Sequence, residues 1–70
     1  MKLEMMPVRD SSAITGIGYL NGELYIEWKH GGLYAYRAPE SVFIALQQQQ
    51  SKGTFATSKI RGHYPERKIG

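Results

Sequence analysis

The side chains with the most chemistry to offer lie near the end of the chain. Lys52, Lys59, Arg61, Arg67 and Lys68 crowd residues 51–70 against a single acid, Glu66. His63 and Tyr64 sit among them, and Tyr34, Tyr36 and Arg37 form a second aromatic and basic group. Clustered positive charge draws phosphate, and rings set between cations give bases a surface to stack on. That combination suits RNA or another phosphate-bearing ligand. Residues 1–50 carry four basic and five acidic groups, so the formal charge of +3 belongs to the C-terminal end. Each group also has a plainer use. A charged end can simply be solvated, Lys52 can complement a helix C-terminus, and Tyr64 beside Pro65 can close the core. Tyr34 and Tyr36 are expected to share a buried face with Trp28, each hydroxyl reaching a partner at the rim.

Catalysis has a thinner basis. Ser11, Ser12, Ser41, Ser51 and Ser58 are possible nucleophiles, with His30 and His63 as possible bases. No local signature joins a nucleophile to a base, and no acid is placed to orient either histidine. Gly16 to Gly22 is glycine-rich, but no helix follows and no lysine occupies the phosphate-loop position. Two histidines without cysteine do not complete a structural zinc site. The expectation is a binding protein with no catalytic residues, no metal and no cofactor.

The elements that must hold these side chains are legible in the apolar pattern. Ile14 to Leu20 reads as a first strand, with Thr15, Ile17 and Tyr19 on one face and Gly16 and Gly18 on the other, where glycine lets something approach closely. Asn21-Gly22 is a two-residue hairpin signal. Glu23 to Lys29 alternates, with Leu24, Ile26 and Trp28 pointing one way. His30-Gly31-Gly32 turns the chain, and Leu33 to Arg37 returns. Tyr25, Glu27, Lys29, Leu33, Ala35 and Arg37 make a mixed outer face. Pro39 opens a helix to Gln50 with Val42, Phe43 and Leu46 as its apolar stripe, and Gly53 is expected as its left-handed stop. Thr54 is expected to cap a short second helix that ends near Gly62. Tyr64-Pro65 is extended, and Arg67 to Ile69 is a candidate edge strand. Pro7 argues against a central strand in the N-terminal arm.

The expected fold class is α+β: a three-stranded antiparallel β-meander covered on one face by a helix, then a short second helix and a basic extended segment. The expected divisions are an arm at 1–11, the meander at 12–37, the helix at 39–50, and the short helix with its tail at 54–69. At 70 residues the chain is one domain, small enough to be marginally stable alone. Homo-oligomerisation would compensate. No apolar run is long enough to span a membrane, and the chain is expected in the cytoplasm.

Six ordered motifs point to a family. They are Ile17-Gly18-Tyr19, the Leu-x-Ile-x-Trp strand at 24–28, Gly-x-Tyr-x-Tyr at 32–36, Pro39 to Phe43, Ser51-Lys52-Gly53, and Ile60 to Pro65. Together they resemble the KTSC domain, named for its place at the C-terminus of some lysyl-tRNA synthetases. The resemblance spans about residues 11–69. It implies a role near RNA, and the family's free-standing bacterial and phage members imply that this chain is one of them, acting in the host cytoplasm if phage-encoded. Family members often have two aromatics where this chain has Phe55-Ala56, and another after the proline where it has Glu66.

The functional expectation is therefore non-catalytic binding of RNA or other nucleic acid through Lys52, Lys59, Arg61, His63, Tyr64, Arg67, Lys68, Arg37, Tyr34 and Tyr36. Two alternatives stand beside it. One is an oligomeric phage-type sponge that sequesters a nucleotide messenger. The other is a protein-interaction module.

Overall fold

The computed structural model describes residues 2–70; Met1, where the expected arm begins, lies outside them. A five-stranded antiparallel sheet runs in sequence order. Its strands are β1 (Met6–Pro7), β2 (Ile14–Leu20), β3 (Glu23–Trp28), β4 (Gly32–Arg37) and β5 (Glu66–Lys68). Helix α1 spans Glu40–Gln47, α2 spans Lys52–Phe55, and a π-helical turn comes next at Ala56–Ile60. The domain is thus α+β with an antiparallel sheet and two helical segments. The expected meander is its centre, and the correction is to five strands from three. Short strands from the arm and the tail extend its two edges. The arm supplies an edge strand, and Pro7 falls there as expected and not in a central strand; at the edge its missing N–H costs no ladder bond.

The hairpin forms at Asn21-Gly22, with φ of +52° and +80°. β2 carries a bulge: Ile14 faces Trp28, but Gly16 faces Glu27, leaving Thr15 unmatched. An extra residue reverses the alternation on one side of it. Ile14 and Ile17 therefore share the core at 0% and 1% exposure, while Thr15, expected beside Ile17, faces solvent. Gly18 does admit a close neighbour. A Cβ there would meet Met5 Sδ at 2.8 Å and the Glu4 carbonyl at 3.0 Å, because the arm crosses at this point.

Helix α1 lies over the inner face. Leu46 is buried and Phe43 stacks on Tyr19, with ring centroids 5.7 Å apart. Tyr19 also donates to the Ala38 carbonyl at 2.8 Å, which fixes the strand-to-helix joint. Pro39 is the N-cap, one position before the first helical residue. The helix ends at Gln47, short of the expected Gln50, and Gln49 Nε2 returns to the Ala45 carbonyl at 3.0 Å.

Gly53 is not its stop. It lies inside α2, buried, where a Cβ would stand 2.5 Å from Ser11 Oγ and 3.1 Å from Ala13 Cβ. The glycine is needed for close approach, not for a left-handed φ. Ser51 caps α2 in place of the expected Thr54, accepting from the Thr54 N–H at 3.4 Å. Gly62, at φ +83°, does come just after the second helical segment. Among the described residues no helix is long and apolar enough to cross a membrane.

Gly53→Ala should lower stability by about 1–3 kcal/mol, the usual cost of forcing a methyl into a packed site. Ser11 cannot step aside freely, because its Oγ accepts from the N–H groups of Ala13 and Ile14. Urea denaturation at unchanged m-value checks this; an unchanged midpoint would contradict the packing described.

Candidate functional site

The inner face of the sheet does not close over completely. Beyond the reach of α1, a shallow cleft of about 340 Å³ is lined by Trp28, His30, Tyr34, Tyr36, Arg61 and Glu66, with Ser12 and Thr57 along one wall. Cofactor and ligand pockets usually measure about 300–1,000 Å³, so this one is at the small end.

Its floor is built by period-two alternation. Trp28 on β3 and Tyr34 and Tyr36 on β4 point to one face, and the two tyrosine rings stack with centroids 6.3 Å apart. Tyr36 is fully buried, and its hydroxyl accepts the Trp28 indole N–H at 3.0 Å. Burial pushes the Tyr36 phenol up from its ordinary value, and the N–H aimed at its oxygen partly opposes that shift. The tyrosines share the buried face with Trp28 as expected. Tyr34 differs in being half-buried at the cleft wall.

The roof is set by the π turn. Thr57 Oγ1 donates to the Gly53 carbonyl and Ser58 Oγ to the Thr54 carbonyl, each at 2.7 Å. Such side-chain bonds compete for the carbonyls that α-helical N–H groups would use. The ladder widens, and the Arg61 N–H bonds five residues back to the Ala56 carbonyl at 2.9 Å. One extra residue in a turn rotates the downstream chain by about 100°. Arg61 thereby leaves the helix with its guanidinium 4.8 Å from the Trp28 ring centroid, a cation–π contact at the cleft mouth.

The cationic residues do not form one continuous rim. Arg61 lines the cleft, and Lys68, opposite Tyr34 in the ladder, shares that face of the sheet. Arg67 points to the other face. It crosses β4 over Ala35 and forms a forked pair with Glu23 on β3, at 2.9 and 3.0 Å. Ala35 is only 1% exposed, a correction to its expected place on a solvated outer face. Arg67 holds the Glu23 carboxyl below the ordinary carboxylate range, chiefly through that hydrogen bond. Arg37 lies on this outer side, opposite Glu23. Lys52 donates to the Gln49 carbonyl at 3.2 Å just beyond α1, its expected structural use. Lys59 and His63 are exposed and line none of this cleft, and Tyr64 packs half-buried against the core.

Three lining residues give no binding signal in the sequence. Trp28 reads as core alone, and His30 as part of a turn or as a possible base, not as a binding residue. Thr57 has no signal at all, because its place depends on the π turn.

Residues 10–64 match the family model described as the KTSC domain. The chain belongs to the KTSC domain family. A crystal structure of a KTSC domain protein from Yersinia pestis is similar, with 36% sequence identity and a TM-score of 0.91. The match covers 99% of this chain and all of that one. No curated protein matches the chain. The KTSC motifs map onto the parts just described. The Gly-x-Tyr-x-Tyr run is the cleft floor on β4, Ser51-Lys52-Gly53 is the start of α2, and Ile60-Arg61 is the end of the π turn.

Tyr36→Phe should cost about 1–2 kcal/mol at neutral pH by leaving the Trp28 N–H without its acceptor. The phenol's raised pKa carries a sign as well. A group that holds its proton more tightly when folded adds stability below its ordinary value of 10.0 and loses it as pH rises through the folded value. Thermal melts from pH 8 to 11 should fall less steeply for the variant than for the native chain; equal slopes would contradict the assignment.

Proposed function

We propose that this KTSC domain is a non-catalytic module that binds a phosphate-bearing ligand, RNA first, at the cleft under Arg61. The observation that carries the reading is the placement of Arg61. Its guanidinium is held against Trp28 at 4.8 Å, yet the residue is exposed. Among the described residues the ion pair within 4.0 Å is Arg67–Glu23 on the opposite face, so Arg61 has no carboxylate partner. A guanidinium stacked on one side and open on the other presents forked donors to phosphate. Tyr34, half-buried beside it, offers a ring for a base. Lys68, on the same sheet face, adds a second positive charge.

Arg67 and Arg37 leave this reading. The first is committed to Glu23, and both belong to the outer face. The resemblance to synthetase-associated KTSC domains supports RNA over other phosphates. A cytoplasmic location, that of a host cell for a phage-borne copy, suits such a ligand.

Fluorescence anisotropy with a short labelled single-stranded RNA tests the proposal. Affinity should fall with rising salt, with a log–log slope of about −0.7 for each phosphate engaged. Arg61→Ala should weaken binding and make that slope shallower by about 0.7, one phosphate contact. Arg67→Ala should leave affinity unchanged. Salt-independent affinity, no binding at low salt, or equal losses in both variants would each overturn the reading. Mononucleotides belong in the same titration, since tight binding of one with none of RNA would favour a nucleotide sponge.

A further inference from the structure

The cleft is one end of a longer seam. Two further hollows lie along the line where residues 9–13 pass the second helical segment. The middle one, of about 360 Å³, shares Ser12, Ala13 and Thr57 with the cleft and adds Ser51, Thr54 and Ser58. The far one, of about 270 Å³, shares Asp10 and Ser11 with the middle and adds Arg9 and Lys52. The three hollows lie in a row with shared walls, Arg61 over the aromatic floor at one end and Arg9 and Lys52 at the other. Its carboxylates are Asp10, next to Arg9, and Glu66, in the cleft. Cations therefore stand at the two ends, and the stretch between them is lined by hydroxyls.

Those hydroxyls are not neutral partners. A hydroxyl has one proton to give and two lone pairs. Thr57 has given its proton to the Gly53 carbonyl and Ser58 to the Thr54 carbonyl, at 2.7 Å each. Ser51 has given its proton to Thr54 Oγ1 at 2.8 Å. Thr57, Ser58 and Ser51, the last with the lone pair that the Thr54 N–H leaves it, turn acceptor capacity toward the groove, while Thr54 and Ser11, which accept in their bonds, keep their own protons. Acceptors repel phosphate oxygens and favour ligand groups that donate, and a ribose carries such a donor in its 2′-hydroxyl. The slot is bounded by one loop on one side and one helix on the other, which suits a single strand and not a duplex.

We propose that this groove takes a short single strand of RNA, with phosphates at the two cationic ends and ribose 2′-hydroxyls donating to Ser51, Thr57 and Ser58 between them. The inference rests on the RNA reading of the cleft and adds two properties to it: a site length and a preference for ribose over deoxyribose.

The test is a competition series of ribo- and deoxyribo-oligonucleotides, one to eight residues long, against the intact chain. Ribo-oligomer affinity should climb steeply from the mononucleotide and level off at about four residues, the short end for single-strand sites. Ribo-oligomers should bind at least about fivefold more tightly than deoxy ones, the worth of one hydrogen bond. Thr57→Val, at an exposed position, should shrink that ratio. Arg9→Ala should weaken the tetramer and leave the mononucleotide unchanged, a second readout should Thr57→Val unfold the π turn. Equal ribo and deoxy binding, or affinity that does not change with length, would overturn the groove while leaving the cleft reading intact. No binding at any length would overturn both.

Discussion

One hydrogen bond, from the Trp28 indole to the Tyr36 hydroxyl, lies where the core of this domain meets its open cleft. Below it, Ile14, Ile17, Leu24, Ile26, Leu46 and Ile60 form a closed apolar body. Above it, Arg61 and Tyr34 face solvent. The two large rings can be buried at the base of a polar site because each satisfies the other's polar atom. With that pair met internally, the upper face of the indole is free to support a guanidinium. The floor of the cleft and the support under Arg61 are built on this pair.

Much of the architecture was legible because it obeys strict local periods. Leu24, Ile26 and Trp28 alternate without interruption, Asn21-Gly22 demands positive φ, and Val42, Phe43 and Leu46 make a helical stripe. The misreadings have physical causes of a different kind. Gly53 has the look of a conformational glycine and is a packing one, and only the approach of Ser11 distinguishes the two. Ile14 and Thr15 exchange faces because a bulge shifts the period within a single strand. The π turn depends on two hydroxyls competing for carbonyls of their own helix, which leaves no trace in hydrophobic spacing.

The site was legible in outline only. The charge asymmetry draws attention to Arg61, yet it weights Arg67 equally. In a strand, neighbouring residues point to opposite faces, so Glu66, Arg67 and Lys68 could never have formed a single rim. Ala35 is the residue that allows Arg67 to cross β4 and reach Glu23; a longer side chain at that register position would stand in the path. Net charge identifies a region, and pleat and register decide which of its cations face the cleft.

The edges of the sheet carry a further consequence. One edge is a two-residue strand ending in Pro7, which has no N–H to offer, and the other is three charged residues, Glu66-Arg67-Lys68. Neither presents the long, flat, apolar row of free donors and acceptors on which a neighbour's strand could grow. Copies held at high local density are thereby protected from fusing into a continuous cross-β ribbon.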